Sequence, residues 1–239
     1  MSEEATRHNG KVLVVLAHPD DPEFFCGGTV ARLTAEGREV HYCLLTRGDK
    51  GADEPGVDPE ALADTREAEQ RAAAEVLGVK GVHFLGYKDG ELHVGQGLRR
   101  DVARVVRQIR PYTLITSDPS NYYSTFVNHA DHRVAGQVAL DAVWPGARSA
   151  LYYPELYQEE GLEPHKVLEV YIAGPVHPDT TVDITDFFDI KLRALAAHKS
   201  QIEDADALAE RLRERMIDPE SPPGSPRYIE RFKRIQLRS

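Results

Sequence analysis

Residues 12–28 read VLVVLAHPDDPEFFCGG, and the fold turns on how this stretch is read. Val12–Leu16 is short, continuously apolar and free of Gly and Pro, the composition of a strand buried on both faces of a parallel sheet. It ends abruptly in His18, Pro19, Asp20 and Asp21. The strand therefore delivers one imidazole and two carboxylates to its carboxyl end, where open α/β sheets keep their ligand sites. That group can supply metal ligands and leave a carboxylate over for proton transfer. The stretch predicts half of a metal site, and the other half must come from elsewhere in the chain.

Outward from this strand the chain alternates strand and helix signals, with no internal repeat and no low-complexity tract. Residues 24–36 have helical character, with Pro22 where a first turn tolerates proline and Gly37 suited to the helix end. Strands are expected at 39–46, 82–85 and 113–116; helices are expected at 58–77, closed by Gly78, and at 98–109, stopped by Pro111. A polar, aromatic loop at 117–128 runs into His129-Ala130-Asp131-His132, which opens a helix expected to end near Trp144. Further strands are expected at 150–153, 167–173 and 181–184, helices at 186–200 and 204–216, and a final amphipathic segment at 228–237. The alternation predicts a Rossmann-like, doubly wound, mainly parallel sheet in the order 3-2-1-4-5. Its core covers about residues 11–145 and a β-rich C-terminal extension about 146–239, in one domain.

In that order the first and fourth strands are neighbours, and the crevice at their carboxyl ends is the topological switch point. His18 to Asp21 leave the first strand there, and His129 to His132 follow the fourth. Residues three apart at a helix start share a face, so His129 and His132 can point into one pocket. A His, an Asp and a second His around Zn²⁺, with one position left to water, is the pattern of a catalytic rather than a structural zinc site. The metal lowers the pKa of such a water from ~15.7 to about 7, and a nearby carboxylate can take its proton during attack.

Composition removes other classes. A formal charge of -10 suits a polyanionic partner poorly, which disfavours nucleic acid and leaves a small molecule as the natural partner. The first eleven residues have no basic segment followed by an apolar one, and no apolar run approaches the ~20 residues that span a bilayer, so a cytoplasmic protein without membrane association is expected. Cys26 and Cys43 are too few for a disulfide framework and read as small buried hydrophobes. The Arg47-Gly48-Asp49 tripeptide reads as part of a turn-forming loop, since no secretory signal supports an adhesion role.

Each polar signal also has an ordinary reading. Asp20 or Asp21 alone would be a helix N-cap, and His129 and His132 alone would be polar residues on an exposed first turn. Arg66 and Glu69 could form a solvated surface pair. His41, His83, His93, His165 and His177 lack a partner pattern, and His198 reads equally as a packing residue or a neighbour of the pocket. The coincidence of the two motifs is what favours a site.

Together, His18-Pro19-Asp20-Asp21 and His129-Ala130-Asp131-His132 resemble the LmbE-like or PIG-L-like zinc de-N-acetylases. The resemblance extends over residues 11–232: the Gly-containing loop 46–51, Arg66 with Glu69, the Leu77-Gly78-Val79 turn, Asp89, Lys191, and His198-Lys199-Ser200-Gln201 each have a counterpart. It implies a hydrolase of N-acetylglucosaminyl conjugates with His18, Asp21 and His132 holding Zn²⁺, or Fe²⁺ or another divalent metal. By the same resemblance Asp20 is the general base. His129 stabilises the oxyanion or helps to protonate the leaving amine, Asp131 orients a histidine, and Arg66 and Asp89 hold sugar hydroxyls. The chain departs from some relatives in carrying Val127 where they have Tyr, although Tyr122 and Tyr123 sit earlier in the loop. Members are often homo-oligomers, and no stretch here fixes a stoichiometry.

Two alternatives stand beside the deacetylase. One is an amidase of the same family that cleaves a larger acyl group, as in a thiol S-conjugate. The other is a non-catalytic Rossmann-like binding module, disfavoured because the turn after the first strand carries His-Pro-Asp-Asp where a dinucleotide needs G-x-G-x-x-G.

Overall fold

A computed structural model describes residues 10–123 and 127–238. Residues 1–9 of the segment read for a leader and 124–126 of the aromatic loop lie outside the described residues. The chain runs β1 (Val12–Leu16), α1 (Asp21–Ala35), β2 (Val40–Thr46), α2 (Pro59–Val76), β3 (Gly81–Tyr87), α3 (Gln96–Ile109), β4 (Thr113–Ser117) and α4 (Ala130–Asp141). It continues with α5 (Pro154–Gln158), β5 (Glu169–Ala173), β6 (Thr180–Asp183), α6 (Phe188–Leu195), α7 (Ala205–Met216) and β7 (Ile229–Gln236). Among the described residues no helix is long and apolar enough to cross a membrane.

The strands form one sheet in the order β3-β2-β1-β4-β5-β7-β6. β3, β2, β1, β4 and β5 pair in parallel, so the expected 3-2-1-4-5 order is present. The C-terminal strand β7 pairs antiparallel with both β5 and β6. Period-two alternation along β1 explains its apolar run: Leu13 and Val15 join the cluster with α3 and α4, while Val12, Val14 and Leu16 join the cluster with α1, α2 and α6. Helices on both faces leave this strand no solvent-facing side. Each such residue contributes about 1.5–3 kcal/mol relative to exposure.

Three expectations at the element level need correction. Residues 150–153 form no strand; Leu151 is exposed, Tyr153 is left-handed, and Pro154 begins α5. The helix expected to reach Trp144 leaves α-geometry after Asp141, and Trp144 itself is extended. The helix expected at 186–200 ends at Leu195. Beyond it His198 and Ser200 are drawn into hydrogen bonds with Glu23 and Glu69, which an uninterrupted helix would not present to them.

α1 starts at Asp21, earlier than its apolar pattern suggests, and breaks at Cys26, whose φ is -148. The break exposes backbone N–H groups inside the protein, and a distant carboxylate satisfies them. Gly28 and Thr29 donate to the two oxygens of Glu230 at 3.0 and 2.7 Å. Lys191, fully buried, donates to Glu230 at 2.7 Å and to the carbonyl of Phe24 at 2.8 Å. Gly28 is required by space: a Cβ there would lie 2.5 Å from the Ile184 side chain.

Candidate active site

The turn after β1 carries the first half of the site. Asp21 Oδ2 accepts from the backbone N–H of His18 at 2.9 Å and of Ala17 at 3.2 Å, so the carboxylate folds back over the strand end. Asp20 is left-handed, with φ 88 and ψ -28, an uncommon conformation for a residue with a side chain. The reversal sends the two adjacent carboxylates to different partners. Asp21 Oδ1 lies 3.0 Å from His132 Nε2, whereas Asp20 Oδ2 lies 3.3 Å from Arg66 Nη2.

The second half arrives on α4. His129 is its N-cap and accepts from Asp131 N through Nδ1 at 3.2 Å. The rings of His129 and His132 are 4.9 and 5.3 Å from that of His18, centroid to centroid. Asp131, fully buried, accepts from Gly90 N at 2.7 Å and places Oδ2 3.4 Å from His18 Nε2. Asp89 Oδ1 lies 3.0 Å from the same nitrogen. The structure thus brings together His18, Asp20, Asp21, Asp89, His129, Asp131 and His132.

The donors fit a divalent cation. Donor atoms of His18, Asp21 and His132 all lie within 4.8 Å of one another, as do those of His18, Asp89 and His129. The first group has the stronger case, because its polarity can be followed. Asn128 Nδ2 donates to Asn121 O, which turns Oδ1 toward His132 Nδ1 at 3.0 Å. In the neutral form that metal ligation requires, His132 would donate from Nδ1 and direct the lone pair of Nε2 at the Asp21 carboxylate, so that two acceptors would face each other. A cation between them resolves that contact. His18 presents Nδ1 to Asp21 Oδ2 at 3.5 Å, while its buried Nε2 faces carboxylates without the alignment of a hydrogen bond. Two imidazoles and a carboxylate match Zn²⁺ and discriminate weakly against Fe²⁺.

Arg66 is buried rather than part of a surface pair, and Glu69 instead accepts from Ser200. The guanidinium donates to Pro19 O at 2.8 Å and Gly48 O at 3.2 Å as well as to Asp20, bracing the turn from below. The loop after β2 makes room for it: a Cβ on Gly51 would lie 2.0 Å from Arg66 Nη1. Asp49, the acid of the Arg-Gly-Asp tripeptide, accepts from Asp89 N at 3.0 Å. That loop therefore positions the site and carries no exposed adhesion motif.

Charge is unevenly distributed here. For Asp20, burial and the neighbouring Asp21 push the carboxyl up to about 7 against the pull of Arg66, His198 and His18. Burial acts to raise Asp21 as well, yet His132 and His18 hold it well below the usual carboxylate range. Burial lowers His18, but Asp131, Asp21 and Asp89 outweigh it and push the ring up to about 12. His129 is lowered by burial and by the charge of His18. Three acids around one imidazole make a site that attracts cations.

Sequence reading missed Glu23, Gln70 and Asn128. Gln70 lies four residues after Arg66 on α2, so helical spacing already put it on the same face. Asn128 precedes His129 in a loop of uncertain register, and nothing local marked it. Beside the site, a cleft of about 640 Å³ is lined by Phe24, Lys50, Gly51, Ser200, Gln201 and Arg211. Tyr122 and Tyr123 are both exposed.

Several known proteins are similar to this chain. The family model described as GlcNAc-PI de-N-acetylase (PIG-L) matches residues 13–143. Diacetylchitobiose deacetylase of Thermococcus kodakarensis is 36% identical over 194 residues, covering 80% of this chain and 70% of its own. A probable N-acetyl-alpha-D-glucosaminyl L-malate deacetylase of Bacillus cereus is 30% identical, covering 80% of this chain and 84% of its own. The structure of N,N'-diacetylchitobiose deacetylase from Pyrococcus horikoshii superposes with a TM-score of 0.83 at 28% identity, over 98% of this chain and 86% of that one. The chain belongs to the GlcNAc-PI de-N-acetylase (PIG-L) family.

Proposed function

We propose that this protein is a metal-dependent hydrolase that removes the acetyl group from an N-acetylated amino sugar or its conjugate. The observation that carries the reading is the division of labour within the His-Pro-Asp-Asp turn. Asp21 faces the donor group with His18 and His132, while Asp20 turns away toward Arg66 and stays outside that group. One carboxylate binds and the other moves protons. The named activities of the relatives point to the same substrate class.

His18, Asp21 and His132 would hold a divalent cation, Zn²⁺ in the first instance, which when bound would supply Lewis-acid polarisation and a water of lowered pKa. Asp20 takes the proton of the attacking water as the new C–O bond forms. The same carboxyl, now protonated, is placed to return that proton to the nitrogen as the C–N bond breaks, giving a primary amine and acetic acid, which then ionises to acetate. His129, at the edge of the donor group and lowered by burial, donates to the developing oxyanion or to the departing nitrogen. Asp131 orients His18 from its Nε2 side, the usual role of a carboxylate behind a ligating histidine. Arg66 spends its donors on the turn and on Asp20 and has none to spare for the sugar hydroxyls the resemblance assigns to it; Asp89, buried against His18, keeps that assignment.

The test is primary-amine release from N-acetylglucosamine conjugates, diacetylchitobiose and longer-chain amides, with metal-loaded and chelator-stripped protein in parallel. Metal-dependent release from the acetylated sugars is expected; preference for longer acyl groups would move the assignment to an amidase. Asp20→Ala should lower kcat by about 10²–10⁴-fold with metal content unchanged. Full turnover in that variant would remove Asp20 from the chemistry.

A further inference from the structure

The His198-Lys199-Ser200-Gln201 element is left without a task by the reaction outlined above, yet it reaches the turn that carries Asp20. His198 is fully buried and places Nε2 3.1 Å from Glu23 Oε2. Glu23, equally buried, accepts from Gln70 Nε2 through both oxygens, at 3.1 and 3.0 Å. That contact fixes the direction of the Gln70 amide, since its NH₂ must face the carboxylate. Oε1 is then turned to the other side, where it accepts from the backbone N–H of Asp20 at 2.8 Å. Ser200 and Gln201 fasten the same segment to its surroundings. Ser200 donates twice to Glu69 on α2, at 2.8 and 2.7 Å, and Gln201 donates to Gly51 O at 3.0 Å, beside Arg66.

The order of these contacts matters. Asp20 holds a left-handed backbone, which costs of order 1–3 kcal/mol and persists only where the surroundings over-determine it. Two restraints meet at this residue. Arg66 holds the carbonyl of Pro19 before it, and Gln70 holds its own N–H. Both residues sit one turn apart on α2, so the helix grips the turn at two points. Without Glu23 and His198 to set its direction, the Gln70 amide could reverse, and its NH₂ would then face the Asp20 N–H with nothing to accept from it.

We propose that Gln70, aligned by Glu23 and His198, is a positioning residue that acts on the reaction through Asp20. The relay does not touch the donor group of His18, Asp21 and His132, and its removal leaves metal binding in place. This inference rests on the reading of Asp20 as the proton-transfer group.

A double-mutant cycle tests it. Gln70→Met keeps the side-chain volume and removes all three hydrogen bonds, the one from Asp20 and the two to Glu23. In the otherwise native protein the expected result is a loss of about 10–100-fold in kcat, the range for partners behind a ligand or reacting group. KM and metal affinity, measured by chelator competition, stay within about threefold of native. In an Asp20→Ala background the same change has little further effect, because residues that act as a unit are not additive. Equal losses in both backgrounds, or a loss matched by weaker metal binding, would overturn the relay while leaving Asp20 in its role. Full activity of Asp20→Ala alone would overturn the underlying reading instead. If Gln70→Met does not fold, His198→Gln at the far end of the relay is read through the same cycle, with the same two outcomes deciding.

Discussion

At the carboxyl ends of β1 and β4, Asp21, Asp89 and Asp131 crowd around the single ring of His18, whereas at the amino ends of the same sheet each acid meets its own base. Glu39 pairs with Lys11 at 2.9 Å and His41 at 2.8 Å, and Glu169 pairs with Arg234. Arg38 donates to Thr113 and to the carbonyl of Gly10. Both ends are rich in ionisable groups, so composition does not separate them. The pairing does. The amino end is neutralised by the chain itself, and the carboxyl end is left with more acid than base in a buried place, a condition that an added cation relieves.

That contrast yields predictions of decreasing size. His132→Ala removes a donor, so metal affinity should fall by more than the roughly 10–100-fold that a supporting partner costs, with turnover falling alongside it in a chelator-competition and amine-release pair. Unchanged metal affinity would shift the site to the group of His18, Asp89 and His129. Asp131→Asn keeps the shape but halves the acceptor strength behind His18; a loss of about 10–100-fold in metal affinity or activity is expected. Glu39→Gln, at the opposite end, should alter turnover not at all and stability by less than about 1 kcal/mol in denaturant unfolding. Its pH dependence has a definite sign. His41 and Lys11 lower the Glu39 carboxyl from 4.5 to about 2. The native protein therefore gains from this pair above pH 4.5 and loses the gain as pH falls toward 2; in Glu39→Gln that part of the acid dependence should vanish.

Much of this was legible before any coordinates. A five-residue apolar run with no polar interruption can be buried on both faces, and β1 is. Alternation points to a doubly wound sheet, and the common 3-2-1-4-5 order of such sheets, present here, brings His18–Asp21 to His129–His132. Less legible were segments whose conformation is set by partners far away. Residues 196–201 have helical composition, yet Glu23 and Glu69 draw His198 and Ser200 out of a helix. Arg66 reads as a holder of sugar hydroxyls or as one half of a surface pair, and neither shows its burial against the turn, which depends on Gly48 and Gly51 being small for a reason visible only in three dimensions. The β7 strand read as an amphipathic segment of no stated type. Its alternation is blurred by charged residues such as Glu230, which turns inward to the break in α1.

The Glu230 contact also sets an order in time. Gly28 and Glu230 are 202 residues apart, and Glu23 and His198 are 175 apart. The turn bearing Asp20 and Asp21 is among the first parts of the described chain to leave the ribosome. At synthesis rates of about 5–20 residues per second, its clamps follow roughly 10–40 seconds later. A nascent chain in that interval has β1 and α1 available but neither the carboxylate that satisfies the helix break nor the histidine behind Gln70. The break in α1 and the Gln70 amide thus wait for partners from the last part of the described chain, and the turn is clamped only once β7 has been made.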